Sequence, residues 1–226
     1  MKRKLALVTL VALAWSSLAF CGQDKTNTPT TATEAITIFD AGKNGDLEKV
    51  KALLQDHPDW VNSKDDQGDT LLHIAVYYHN KNLAELLLAH KAEVNATNNF
   101  GQGALSYAAS AGDKDTVELL LTHKADVNAK SDGGWTPLGL AVLWSHRDVV
   151  ELLLTNKAEV NTKLTDGNTP LHIAAGNSTK DVVELLLTNK AEVNATNNDG
   201  ATPLRVAATV SHEDVKDLLR QHGGHE

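Results

Sequence analysis

TPLHIAAGNSTKDVVELLLTNKAEVNATNNDGATPLRVA, residues 169–207, holds one complete period of this chain and the opening of the next. Thr169 and Thr202 begin the related stretches TPLHIA and TPLRVA, 33 residues apart. Stepping back by 33, the same frame returns TPLGLA at Thr136, GALSYA at Gly103 and TLLHIA at Thr70. A second signature recurs later in each period: AEVNAT from Ala92, ADVNAK from Ala125, AEVNTK from Ala158 and AEVNAT from Ala191. A period of this length means one supersecondary unit stacked on itself, because a unit so small cannot bury its apolar face alone.

Within the unit the residue types match their tasks. Thr-Pro opens a first helix, where proline is tolerated because the first-turn N–H has no intrahelical partner. Leu72, Leu105, Leu138, Leu171 and Leu204 are its first core contacts, and alanine pairs such as Ala108-Ala109 and Ala174-Ala175 let stacked helices approach closely. A second helix carries a wider apolar stripe, as in Val149-Val150 with Leu152-Leu153, at helical rather than strand spacing. Asn95, Asn128, Asn161 and Asn194 fall in the turn beyond, where asparagine is expected to bond local backbone groups.

The TPLHxA frame and the AEVNA signature resemble those of the ankyrin repeat, over roughly residues 34–226. The resemblance implies an all-α solenoid of six helix-turn-helix units joined by short hairpin-like turns. It divides the chain into a degenerate amino-terminal capping repeat at 34–66, repeats at 67–97, 98–130, 131–163 and 164–196, and a carboxy-terminal capping repeat at 197–226. That last unit ends in DLLRQHGGHE and is expected to have no following turn. The family's glycine between the two helices survives at Gly45 and Gly112 but is His79, Ser145, Ser178 and Ser211 elsewhere. Where the family has a glycine after the second helix, this chain has Lys91, Lys124, Lys157 and Lys190. With φ above zero, each lysine would carry strain that glycine avoids.

Residues 1–20 read as a secretory signal peptide, with the basic start MKRK followed by the apolar run LALVTLVALAW. That run is too short to cross a bilayer comfortably. Cys21 is the single cysteine of the chain, and Leu18-Ala19-Phe20-Cys21 resembles the lipobox of bacterial lipoproteins, with Phe20 departing from the small residue usual there. The resemblance implies lipidation at Cys21; the alternative is ordinary signal-peptidase cleavage before Phe20, with Ser17 and Ala19 as the small residues. Residues 21–33 then form a polar tether lacking large apolar side chains. The expected location is a bacterial cell envelope, with a periplasm-facing lipoprotein favoured over full secretion and membrane contact only through Cys21. The formal charge is −8, or −8 − 3 = −11 without Lys2, Arg3 and Lys4, which argues against nucleic-acid binding.

Family members are mostly binding scaffolds, and the resemblance implies a protein partner held by the hairpin tips and the exposed side of the first helices, which line a concave surface. Eight aromatic residues lie beyond the signal region, and five of them (Tyr77, Tyr78, Phe100, Trp135 and Trp144) occupy those slots. With Asp69, Gln102 and Leu143 they form the candidate protein-binding set, since aromatics are enriched at interface hot spots. The other reading is that the rings pack on neighbouring hairpins. Acidic tips at Asp66, Asp69, Asp132, Asp166 and Asp199 flank the strip, although Asp is also an ordinary turn residue. His73 and His172 occupy the family's TPLH slot, and His222 and His225 make no metal site on their own. H-E-x-x-H, glycine-rich phosphate-loop and G-x-S-x-G motifs are lacking, so neither enzymatic activity nor a cofactor is expected. The expectation is a monomeric scaffold that binds another protein. The alternatives are a secreted effector or toxin-neutralising protein acting on a foreign target, or an accessory factor for an envelope enzyme.

Overall fold

The computed structural model describes residues 30–210 and 212–226, so Ser211, the signal-peptide segment and Cys21 lie outside the described residues. Twelve α-helices pair in chain order among the described residues. The first pair is α1 (Thr30–Lys43) and α2 (Leu47–Asp56), followed by a 3₁₀ turn at Pro58–Asn62. Helix α1 thus begins inside the segment expected to be tether. The next pairs are α3 (Leu71–Tyr77) with α4 (Lys81–Ala89), and α5 (Ala104–Ala111) with α6 (Lys114–Thr122). The last are α7 (Pro137–Leu143) with α8 (Arg147–Thr155), α9 (Pro170–Asn177) with α10 (Lys180–Thr188), and α11 (Pro203–Thr209) with α12 (Glu213–Gln221). The turns between pairs contain no named strand, and isolated bridges at Lys64–Thr70 and Thr97–Gly103 mark them as minimal hairpins. The expected all-helical solenoid of six two-helix units is what the chain forms.

First helices stack on first helices, and second helices on second helices, less closely. The difference follows from side-chain size. Ala75, Ala108, Ala109, Ala141, Ala174, Ala175 and Ala207 are all fully buried, so the first helices can approach to backbone distance. Leu83, Leu87, Val117, Leu120, Val150, Leu153, Val183 and Leu186 then fill the space between each second helix and its own partner. In the first unit, Trp60 of the 3₁₀ turn is buried and stacks on His57 at 4.0 Å between ring centroids.

Thr-x-x-His closes the first helices of two units. The Thr70 N–H donates to His73 Nδ1 at 3.1 Å, and the Thr169 N–H to His172 Nδ1 at 3.2 Å. A backbone N–H must donate, so Nδ1 is the unprotonated acceptor and Nε2 carries the hydrogen. Each Nε2–H then reaches into the next unit, to the Gln102 carbonyl at 3.1 Å and the Ala201 carbonyl at 2.9 Å. Burial holds both imidazoles below the ordinary histidine range.

The asparagines of the AEVNA turn act between units, contrary to the local role expected of them. Asn62, Asn95, Asn128 and Asn161 accept through Oδ1 from the N–H of Glu93, Asp126, Glu159 and Glu192, at 2.8, 2.8, 2.8 and 2.9 Å. Asn95 and Asn161 also donate to the carbonyls of Lys124 and Lys190, both at 3.3 Å. The ladder continues to the carboxy terminus. Asn194 accepts from the His225 N–H at 3.0 Å and donates to the Gly223 carbonyl at 3.0 Å. The tail therefore does build the beginning of a further turn, which corrects the expectation that none follows α12. Lys91, Lys124, Lys157 and Lys190 adopt φ of 65, 67, 69 and 68°, and Gly223 takes φ 84° in the same slot of the tail. The lysines carry the left-handed strain that their slot implied.

His79, Ser145 and Ser178 also have positive φ, as do Gly45 and Gly112 in the equivalent slot. Gly112 is needed for a second reason: a Cβ there would meet His146 Nδ1 at 2.5 Å, and His146 Nε2 bonds the Ser110 carbonyl at 3.0 Å. Ser178 and His212 repeat this 34-residue relation, but Ser178 brings a Cβ, and both Ser178 Oγ and His212 Nε2 are buried without a partner. Gly112→Ser is therefore expected to destabilise the protein by about 1–3 kcal/mol through displacement of His146. Urea unfolding checks it, and an unchanged midpoint would contradict this reading of the junction.

Candidate protein-binding face

The structure sorts the candidate residues into three environments. Tyr78, Phe100 and Trp144 are the large apolar side chains left exposed among the described residues, at 49, 44 and 39%. Tyr77, Gln102, Trp135 and Leu143 are half-buried, and Asp69 is buried at 3%. Phe100 sits on a hairpin tip, while Tyr78 and Trp144 cap the carboxy ends of α3 and α7.

Asp69 is not a contact residue of an exposed tip. Its carboxylate accepts from Asn98 Nδ2 at 3.0 Å and from the Tyr107 hydroxyl at 3.2 Å, both in the next unit. Asn98 Nδ2 also donates to the Tyr107 hydroxyl at 3.0 Å. The side chain is turned inward because its slot joins units: Asn168, three periods later, accepts from Asn197 Nδ2 at 2.9 Å in the same way. Burial raises the Asp69 carboxyl above the ordinary carboxylate range, against the opposing pull of His73 and the Asn98 hydrogen bond. The Tyr107 phenol is pushed far up, first by burial and then by the Asp69 charge.

The rings that surround this network form a chain from the interior to the surface. His73 meets Tyr107 edge-on at 5.7 Å, Tyr107 meets Tyr77 at 6.2 Å, and Tyr77 meets Tyr78 at 5.1 Å. Tyr77 therefore supports the exposed Tyr78 and is itself held from below. Sequence reasoning did not single out Tyr107, yet a signal was present: it stands in a slot otherwise held by Ile74, Leu140, Ile173 and Val206.

Trp135 also has a structural task. A Cβ added at Gly139 would lie 3.5 Å from its ring, so the indole covers the first turn of α7 at the slot held by His73 and His172 elsewhere. Glycine in the histidine slot and tryptophan four residues earlier belong together. Leu143 packs on the core from the end of α7, and its carbonyl accepts from Asn177 Nδ2 at 2.8 Å. Beside Tyr78, His79 Nδ1 lies 3.6 Å from Asp113 Oδ2. Burial acting to raise the Asp113 carboxyl is outweighed by hydrogen bonds from the Thr116 N–H and hydroxyl, which hold it below the ordinary carboxylate range.

The tips are tied to one another through the backbone. The N–H groups of Asn99, Asp132 and Asn198 donate to the carbonyls of Gln67, Phe100 and Asp166, at 3.0, 3.1 and 3.0 Å. Among the described residues, no three His, Cys, Asp or Glu side chains converge as metal ligands. What the arrangement can do is present a fixed row of tips and helix ends with three rings that the core does not consume. Asp69→Ala is expected to destabilise by about 1–3 kcal/mol, because Asn98 and Tyr107 lose a buried partner. Tyr78→Ala and Trp144→Ala should each stay within about 1 kcal/mol of the parent. Urea unfolding of the three variants separates the groups, and a Tyr78 or Trp144 loss as large as that of Asp69 would place those rings in the core's service.

A family model described as ankyrin repeats (3 copies) matches residues 15–98, 38–131, 82–164 and 157–226. A comparison with curated proteins finds no match for the chain.

Proposed function

Because the chain belongs to the ankyrin-repeat family, whose repeats are protein-interaction scaffolds, we propose that it binds another protein through the hairpin tips and first-helix ends of its second, third and fourth units. The observation that carries this reading is the exposure of Tyr78, Phe100 and Trp144, three rings that folding leaves in water. Aromatic side chains so placed are the usual anchors of interface hot spots. Gln102 and the outer edges of Tyr77, Trp135 and Leu143 extend the surface around them. The role is binding, not catalysis, and the scaffold works as a monomer.

The setting we propose is a bacterial envelope. MKRK, the apolar run behind it and Cys21 support export and lipid anchoring, and the polar segment after Cys21 supplies the reach of a tether. Ser17 and Ala19 support a second reading, cleavage before Phe20 and release to act on a foreign target. An accessory role towards an envelope enzyme would use the same face.

The test is a pull-down from detergent-solubilised envelope with the tagged full chain, beside a Tyr78→Ala, Trp144→Ala variant of unchanged helical circular dichroism. Trp135 is left intact because its ring packs over Gly139. The parent is expected to retain a protein that the variant loses by roughly tenfold or more. Equal retention would move the site off this face. Metabolic labelling with a fatty acid, lost in Cys21→Ser, is the outcome expected for the anchored form; no label in the parent would favour release.

A further inference from the structure

The face that carries the exposed rings is also sorted by charge. Asp66, Asp132, Asp166 and Asp199 are exposed on four of the five tips, and no Lys or Arg occurs within 65–70, 98–103, 131–136, 164–169 or 197–202. Helices α3, α5, α7, α9 and α11 carry one charged side chain between them, Arg205. Among the described residues the ion pairs lie elsewhere, on the second helices: Lys81–Asp115, Arg147 with Asp148, Glu151 and Asp181, Lys216–Glu213 and Arg220–Asp217. Of the lysines just before the tips, Lys64 and Lys163 spend their ammonium groups on the carbonyls of Thr97 and Thr196, at 2.7 and 2.9 Å. Lys130 is exposed. Asp166 binds its own turn through Asn168. The side chains of Asp66, Asp132 and Asp199 stand in no ion pair or side-chain hydrogen bond among the described residues.

The rings beside this row flank a lower stretch of surface. Tyr78 and Trp144 hold one slot two units apart, and Ala111 holds it between them; the slot before runs Tyr77, Ser110, Leu143. The surface thus steps down between two exposed rings to an alanine. Next to it Ser110 is only 6% exposed, and its hydroxyl has no partner. Packed helices lie about 8–10 Å apart, which places α3 and α7 roughly 16–20 Å apart across α5. That admits a single polypeptide segment.

We propose that this face receives a cationic segment of the partner protein, which lies across the second to fourth units. Its guanidinium and ammonium groups stack on Tyr78, Phe100 and Trp144 and pair with the carboxylates of Asp66 and Asp132, which flank those rings. Aromatic faces and unpaired carboxylates both attract cations, and arginine satisfies both at once through its planar fork. Charge complementarity of this kind speeds encounter and rejects acidic competitors. The inference rests on the protein-binding reading of the same face and adds the partner's chemistry to it.

The experiment is fluorescence anisotropy of the full chain with a labelled peptide alternating Arg and Phe, and with its Glu–Phe counterpart of equal length. The first variant is Asp66→Asn, Asp132→Asn, isosteric changes at exposed carboxylates that stand in no ion pair or side-chain hydrogen bond among the described residues. The second is Tyr78→Ala, Trp144→Ala. A control, Glu85→Gln, Glu118→Gln, removes the same charge from the second helices. The Arg–Phe peptide is expected to bind and the Glu–Phe peptide not, with roughly tenfold or greater weakening in each of the first two variants and none in the control. Equal binding of both peptides, binding of neither, or equal weakening by the control would overturn the proposal. The envelope pull-down separates this failure from that of the broader reading. A partner kept by the Asn variant and lost by the Ala variant leaves protein binding standing and removes the cationic segment; one kept by both removes both.

Discussion

The structure depends on the asparagine that ends each unit and bonds the backbone of the next. A two-helix unit of about 33 residues cannot bury enough apolar surface to offset its own chain entropy, so its shape is set by its neighbours. Alanine-lined first helices supply the contact area, but apolar contact alone does not fix a turn. The Asn62, Asn95, Asn128, Asn161 and Asn194 side chains do, since each receives one N–H from the following unit. Each bond is worth about 1 kcal/mol in isolation. Repeated along the stack, with the cross-unit bonds of His73, His172 and Asp69, they hold successive tips in one register.

That register turns a set of short loops into a surface. The tips are joined backbone to backbone, the rings of Tyr77 and Tyr107 brace Tyr78 from beneath, and Trp144 stands on a helix end packed into the core. A surface already ordered loses little freedom when a partner docks, which favours affinity. The same economy explains the division of charge. Second helices carry both signs and pair them with one another, leaving the tips acidic and α3, α5, α7, α9 and α11 with the single charge of Arg205.

The stack was legible because the period is a property of the chain itself: the TPLHxA frame, the helical stripe and the lysine slot with positive φ all follow from position in a 33-residue cycle. Side-chain direction was not legible. Asp69 reads as one more acidic tip residue, yet Tyr107 and Asn98 lie across the unit boundary and draw it inward. The Asn95 class reads as local turn chemistry for the same reason, since its true partners are 29 and 31 residues away. Trp135 read as exposed because the vacancy it covers is made by a different substitution, glycine at position 139. Tyr78, Phe100 and Trp144 were found because nothing across their boundary claims them.

The fixed register of the tips requires that the inter-unit bonds order the turns. Native-state amide hydrogen exchange of the free protein tests this at Glu93, Asp126, Glu159 and Glu192, residues exposed to solvent whose N–H groups are received by asparagine in the preceding unit. Protection at these amides is expected to be comparable to that of the buried helices, because opening them requires separating two units. Exchange at the rate of a free loop would contradict it, leaving the turns unpinned and the rings on a surface without fixed register.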